Sequence, residues 1–198
     1  SDMSDDVLDL RRDQFAEAPV VLGHSMGGLV ACDLALTAPE EVKGIIVVDI
    51  VPAPHRSSAV MIVNTVANMD LTQFAARGDI DTELSRSIAD PAVRQFVLTN
   101  VHRTESGYAW RPNVRALQAF LKESQSYTIY PFATYDGPTL FIRGGDSNYV
   151  QPEHYETIHH HFPSAEIKTI EGAGHWVHHD KPRELKQLVM GFMEDVRE

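Results

Sequence analysis

The sequence predicts an α/β protein with a mostly parallel, doubly wound sheet, and three observations predict it. Val20-Val21-Leu22 and Ile45-Ile46-Val47-Val48-Asp49-Ile50 are apolar without clean alternation, as strands covered on both faces are. Between them, Gly27 to Leu36 has helical composition and stops before Pro39, which makes strand, helix, strand. The same rhythm resumes after Gly137-Pro138 with Thr139-Leu140-Phe141-Ile142.

Each element follows from local chemistry. Ser1-Asp2-Met3-Ser4 carries helix-start residues, and Val7, Leu8, Leu10 and Phe15 supply an apolar face, so a first helix is expected over 4–15. From Val51 to Phe132 the periodicity turns helical, over 57–69, 80–89, 91–99 and 112–123. Gly107 and Pro112 flank a turn or short hairpin there, and no strong strand stands out. A helix near 152–161 precedes Glu166-Ile167-Lys168-Thr169-Ile170, whose alternation suits an edge strand. A helix over 182–196 closes the chain. The expected domains are a core of 1–51 with 133–198, and a helical cap inserted at 52–132.

The 198 residues are enough for one domain with a real core and too short for two full ones. A formal net charge of -11 repels phosphate backbones and anionic lipid, so no nucleic-acid partner and no stable membrane insertion are expected. No apolar run approaches the ~20 residues of a spanning helix. One cysteine, Cys32, excludes an intrachain disulfide.

Gly23-His24-Ser25-Met26-Gly27 fits G-x-S-x-G, with an apolar strand directly before it and a helix directly after. That context is more specific than the motif. It makes Ser25 the candidate nucleophile, held on a sharp turn where Gly23, Gly27 and Gly28 avoid clashes. The Met26 N–H, at the start of the helix, is placed to stabilise an oxyanion. Cys32, deeper in the helix among Leu29, Val30 and Ala31, reads as packing.

A serine triad on this plan runs Ser, acid, His along the chain. His175, in Gly172-Ala173-Gly174-His175-Trp176, follows the last strand and is the expected base. His178 and His179 read as surface or supporting groups. His159-His160-His161 reads as a solvated helix end, because consecutive helical residues point apart; no metal is expected. The acid usually follows the strand after the cap, in G-D-x-D-x-x-V-P. Here Gly144-Gly145-Asp146-Ser147-Asn148-Tyr149-Val150 puts Ser147 at that position and Asp146 one residue off register. Asp49 ends the strand beside the nucleophile's own, where ligands gather on parallel sheets. Asp49 is favoured over Asp146; a structural role capping Val51-Pro52-Ala53-Pro54 is its bland alternative.

Gly23–Gly28, Val48-Asp49-Ile50, Ala92–Asn100, Gly137-Pro138-Thr139-Leu140-Phe141 with Gly144-Gly145, and Gly172–His178 recur in an order that resembles one branch of the α/β-hydrolase superfamily. That branch holds the bacterial YbfF esterases and the animal alpha/beta-hydrolase domain-containing protein eleven, and the resemblance runs from about Ser4 to the C-terminus. It implies acyl-ester or acyl-thioester hydrolysis without a cofactor, an acid at Asp49, and a mitochondrial (animal) or cytoplasmic (bacterial) location. It also implies about four further strands before Ser4, with the loop giving a second oxyanion N–H. The N-terminal part of the same polypeptide is therefore expected to be required; without it Val20–Leu22 is an open apolar edge.

The expected function is a serine hydrolase acting on small-molecule acyl esters or thioesters through Ser25, His175 and Asp49, with Met26 N–H at the oxyanion. The alternative is a non-catalytic ligand- or protein-binding module on the same fold. The cap is read as a lid. Ala59, Val60, Met61, Ile62, Val63, Val66, Ala67 and Met69 exceed one buried face, with cap core as the bland reading that explains most of them and a second face lining a cleft for an acyl chain as the sharper one. Arg94, Arg103, Arg111 and Arg115 are read as solvated surface charges, with an anionic leaving group as the sharper alternative.

Overall fold

The computed structural model describes residues 2–53, 58–124 and 132–197. The chain divides into two compact units: residues 1–53 with 128–198, and residues 54–127. The stretches 54–57 and 125–131, where the expected cap joins the core, lie outside the described residues.

The first unit runs α1 (Asp2–Gln14), β1 (Val20–His24), α2 (Met26–Thr37) and β2 (Gly44–Val48). It resumes with β5 (Thr139–Gly144), α7 (Tyr155–His161), β6 (Ala165–Ile170), α8 (Val177–Asp180) and α9 (Pro182–Asp195). The four strands form one parallel sheet in the order β1-β2-β5-β6. Successive side chains of a strand face opposite ways, and the two central strands divide accordingly. Ile45, Val47 and Phe141 join a core with residues of α2 and α7 and with Val7 and Leu8 of α1. Ile46, Val48, Leu140 and Ile142 join a second core with Val177, Leu185, Leu188 and Phe192. Burial on both faces is why these runs show no polar alternation. At the margins β6 exposes Glu166 and Lys168, and β1 leaves Leu22 48% exposed. The strand expected at Val20–Leu22 extends through Gly23 and His24, because these pair with Val47 and Val48.

The second unit contains α3 (Ser58–Ala67), α4 (Arg77–Ser85), α5 (Pro91–Thr99) and α6 (Val114–Ser124). Its own core gathers Val66, Leu71, Ile80, Leu84, Val97, Leu98 and Val101. It also holds an antiparallel hairpin, β3 (Val101–Thr104) and β4 (Gly107–Trp110), where the sequence shows no strong strand. Gly107, at φ 126°, opens β4 directly after the turn, which falls at Glu105-Ser106. Four-residue strands carry too little alternation to stand out; their mutual pairing defines them. Arg94, expected on the solvated surface, is instead half-buried. Its Nε donates to Asp81 at 2.9 Å and its Nη1 to the carbonyls of Ile88 at 2.9 Å and Ala89 at 2.8 Å.

Phe141 is 1% exposed at the centre of the sheet. Phe141→Ala is expected to destabilise the protein by about 3–5 kcal/mol through the cavity it leaves, read as a lower urea midpoint with an unchanged slope.

Candidate active site

The sheet sets the site by carrying two adjacent strands to the same level. Ser25 is the first residue beyond β1 and Asp49 the first beyond β2. The Ser25 N–H donates to the Val48 carbonyl at 2.9 Å, and the Asp49 N–H to the Ile142 carbonyl at 2.8 Å, so each ladder reaches one residue past its strand. Both residues then leave the sheet with positive φ, 53° for Ser25 and 52° for Asp49, and they are the only non-glycine residues to do so among those described. For side chains with a Cβ this conformation costs on the order of 1–3 kcal/mol each. It turns the serine hydroxyl and the carboxylate out of the strand direction.

Close packing at the turn depends on particular glycines. A Cβ on Gly23 would lie 2.0 Å from the Gly27 carbonyl oxygen, and one on Gly28 would lie 2.6 Å from Ile50 Cγ2. Gly27 was expected to be required in the same way, yet a Cβ there meets nothing within 4 Å among the described residues. Met26 opens α2, so its N–H is one of the helix's first donors, which have no partner within the helix.

His175 arrives on the loop between β6 and α8. That loop passes over Gly144, where a Cβ would stand 2.4 Å from the Gly174 oxygen and 2.6 Å from the Ala173 oxygen. The Asp146 N–H donates to Ala173 at 2.9 Å, and the Gly174 N–H to Asp180 Oδ2 at 2.8 Å. The latter bond is the leading cause of a lowered Asp180 pKa. His175 Nε2 is 3.0 Å from Ser25 Oγ, and Nδ1 is 2.8 Å from Asp49 Oδ2. With the proton on Nδ1, the ring donates to Asp49 and accepts from Ser25.

Asp49 is fully buried and bonded on both oxygens. Oδ1 accepts the Gly144 N–H at 2.9 Å; Oδ2 accepts the Ser147 hydroxyl as well as His175. Ser147, at the usual acid position, is thus a donor to the carboxylate, while Asp146 is exposed. Among the described residues, Asp49's carboxylate bonds are directed to Gly144, Ser147 and His175.

Sequence reasoning missed three contributors. Ser147 is the first; its place at the acid register was the available signal. Tyr149 stacks on the His175 ring, with centroids 3.9 Å apart and planes 18° from parallel, and its N–H donates to Ser147 Oγ at 3.2 Å. His24, read only as a variable position of the motif, bonds the His175 carbonyl at 2.8 Å. Neither ring contact leaves a local sequence signal. Of the other groups considered, His178 and His179 are exposed, and the buried His161 bonds the Ala133 carbonyl through Nδ1 at 2.9 Å. Among the described residues, no group of three or more His, Cys, Asp or Glu is placed to hold a metal ion, and no helix is long and apolar enough to cross a membrane.

The alpha/beta hydrolase fold family matches residues 1–182. The chain is 37% identical over 180 residues to sn-1-specific diacylglycerol lipase ABHD11 of Mus musculus, covering 88% of this chain and 58% of that protein. It is 27% identical to esterase YbfF of Escherichia coli strain K12, covering 98% of this chain and 74% of the relative. Among solved structures, a marine microorganism esterase superposes with a TM-score of 0.90 at 30% identity, covering 96% of this chain and 76% of that one. The chain spans about three fifths of the length of the diacylglycerol lipases it matches.

Two outcomes follow. Cys32 is fully buried, and burial drives its thiol pKa well above the ordinary value. Iodoacetamide is therefore expected to leave it unmodified in the native protein and to alkylate it in urea, as read by mass spectrometry. Burial also lowers the His24 pKa from its ordinary 6.5. The unfolded chain then takes up the proton first as pH falls, so this contribution to stability is intact above about pH 6.5 and is lost as pH drops through the folded value. Urea midpoints between about pH 5 and 7.5 should show a decline that His24→Gln lessens.

Proposed function

The chain belongs to the alpha/beta hydrolase fold family, and from that premise we propose that it is the nucleophile-bearing part of a serine hydrolase cleaving acyl esters or thioesters. The observation that carries the reading is the continuous relay from Ser25 Oγ through the His175 ring to the buried Asp49 carboxylate. Three residues far apart in sequence meet there in the order of roles that acyl transfer requires.

In this reading Ser25 Oγ attacks the acyl carbon while His175 Nε2 takes its proton. Asp49 holds the ring with Nε2 free to accept and stabilises the imidazolium that forms. The Met26 N–H meets the developing oxyanion, a contact of a kind worth about 2.7–4 kcal/mol. The proton then passes to the departing alcohol or thiol, leaving an acyl-serine. Water, deprotonated by His175, attacks that ester and releases the acid. Esterase and lipase names among the relatives support the class of reaction. The helical insertion is assigned the part of a lid selecting the acyl group, on the apolar excess of its first helix. No step draws on a metal or cofactor.

A fluorophosphonate offered to the full-length polypeptide is expected to label Ser25; a protein that turns over esters yet labels elsewhere overturns the assignment. Ser25→Ala should lower turnover by about 10^4–10^6-fold. Asp49→Asn should cost about 10^4-fold with little change in the fold, because an amide favours the wrong imidazole tautomer. Matched oxyesters and thioesters of increasing acyl length, assayed in parallel, give the acyl preference, and cleavage of both series is expected.

A further inference from the structure

His24 and Ser25 are neighbours in the chain, and both bond the same residue. Ser25 Oγ meets the ring of His175 at Nε2, 3.0 Å away, while His24 Nε2 meets the backbone carbonyl of His175 at 2.8 Å. We infer that His24 is a positioning residue: a strut between the nucleophile turn and the main chain of the base, which sets the Ser25–His175 distance. The inference rests on the functional reading above.

The need for a strut comes from the loop. Gly172 and Gly174 stand just before His175, Gly172 at φ 68°, and glycine gives the backbone the most freedom to lose. Asp146 and Asp180 hold Ala173 and Gly174, the two residues on the N-terminal side. The carbonyl of His175 itself is held by His24. A ring pinned only at its edge nitrogens can swing with its backbone; with the carbonyl also held, main chain and ring tip are both fixed relative to one rigid turn. An error of about 1 Å between reacting groups costs on the order of 10²-fold in rate.

The chemistry of the imidazole suits the task. A carbonyl only accepts, so Nε2 of His24 carries the hydrogen, and a neutral ring has a single N–H to offer. Neutrality also matters for the neighbour. The two ring centroids are 4.8 Å apart, and a cation at His24 would oppose the imidazolium that His175 becomes. Burial is the largest influence and favours the neutral form; the bond to the His175 carbonyl pulls the other way, the His175 and His178 rings add to the effect of burial, and Asp49 opposes it weakly. His178 closes the arrangement with its ring 4.9 Å from that of His24.

The test separates the hydrogen bond from the ring. His24→Gln keeps an N–H donor on a flexible stem; His24→Phe keeps the ring and loses the donor; His24→Met fills the site should the Phe variant melt early. In the full-length protein, Phe or Met should lower kcat by about 10- to 100-fold with KM nearly unchanged. The fluorophosphonate labelling rate should fall in parallel, and Gln should stay within a few-fold of the parent. Independently of turnover, the Nδ1 proton resonance of His175 should remain sharp in the parent and in Gln, and broaden in Phe or Met. Parent-like kcat and a sharp resonance in Phe or Met overturn the strut, as does a loss in Gln equal to theirs. A parent protein that shows neither turnover nor labelling overturns the hydrolase reading instead, and the resonance then decides the strut.

Discussion

The Asp49 carboxylate is taken wholly out of water at the end of a buried strand, so every segment around it has to offer it a donor. A buried carboxylate without partners would cost several kcal/mol or give up its charge. Here the end of β5 supplies the Gly144 N–H, the loop after it supplies the Ser147 hydroxyl, and the β6–α8 loop supplies the His175 ring. Those bonds tie two separated parts of the chain, residues 144–147 and the loop of His175, to one residue. The positive φ of Asp49 fits the same demand, since the chain must leave the strand direction at once to turn the side chain toward those donors.

The parallel sheet makes this meeting possible. Adjacent parallel strands end at the same side, so the first residues past β1 and β2 are neighbours although 24 positions apart in number. The packing that holds the strands in register is divided evenly: β2 sends Ile45 and Val47 to one core and Ile46 and Val48 to the other. Glycine then sets how closely the loops approach. Gly23 lets the helix return against its own strand, and Gly144 lets the histidine loop lie directly on β5. Two sites of tight backbone approach are therefore also the sites that set the places of Ser25 and His175.

Much of this was legible from residue order. Apolar runs without alternation marked β1, β2 and β5; in β2 and β5 two buried faces leave no solvent side to carry polar residues. Alternation marked β6 as an edge. The candidate nucleophile came from a strand–glycine–serine–glycine–helix context, and the candidate base from a histidine in a glycine-rich loop after the last strand. A turn or short hairpin was expected beside Gly107, but the two strands at 101–110 were not placed, since they are defined by each other. Arg94 was misread as a solvated side chain, because its partners Asp81, Ile88 and Ala89 become neighbours only when α4 and α5 turn back on one another. Gly27 was given a steric role that belongs to Gly23 and Gly28, whose Cβ directions depend on the turn's dihedral angles.

By itself the sequence determined the α/β class, the order of its main elements, and the identities of Ser25, His175 and Asp49 as the candidates for attack, proton transfer and orientation. These depend on local pattern and on chemistry that few residue types can perform. The tertiary structure decided how the three are held. That Ser147, at the usual acid position, donates to Asp49, that Tyr149 lies flat on His175, and that His24 grips the His175 carbonyl are facts of distance and angle between distant segments. Such contacts have no period and no spacing along the chain. They exist only once the sheet has brought the ends of its strands together.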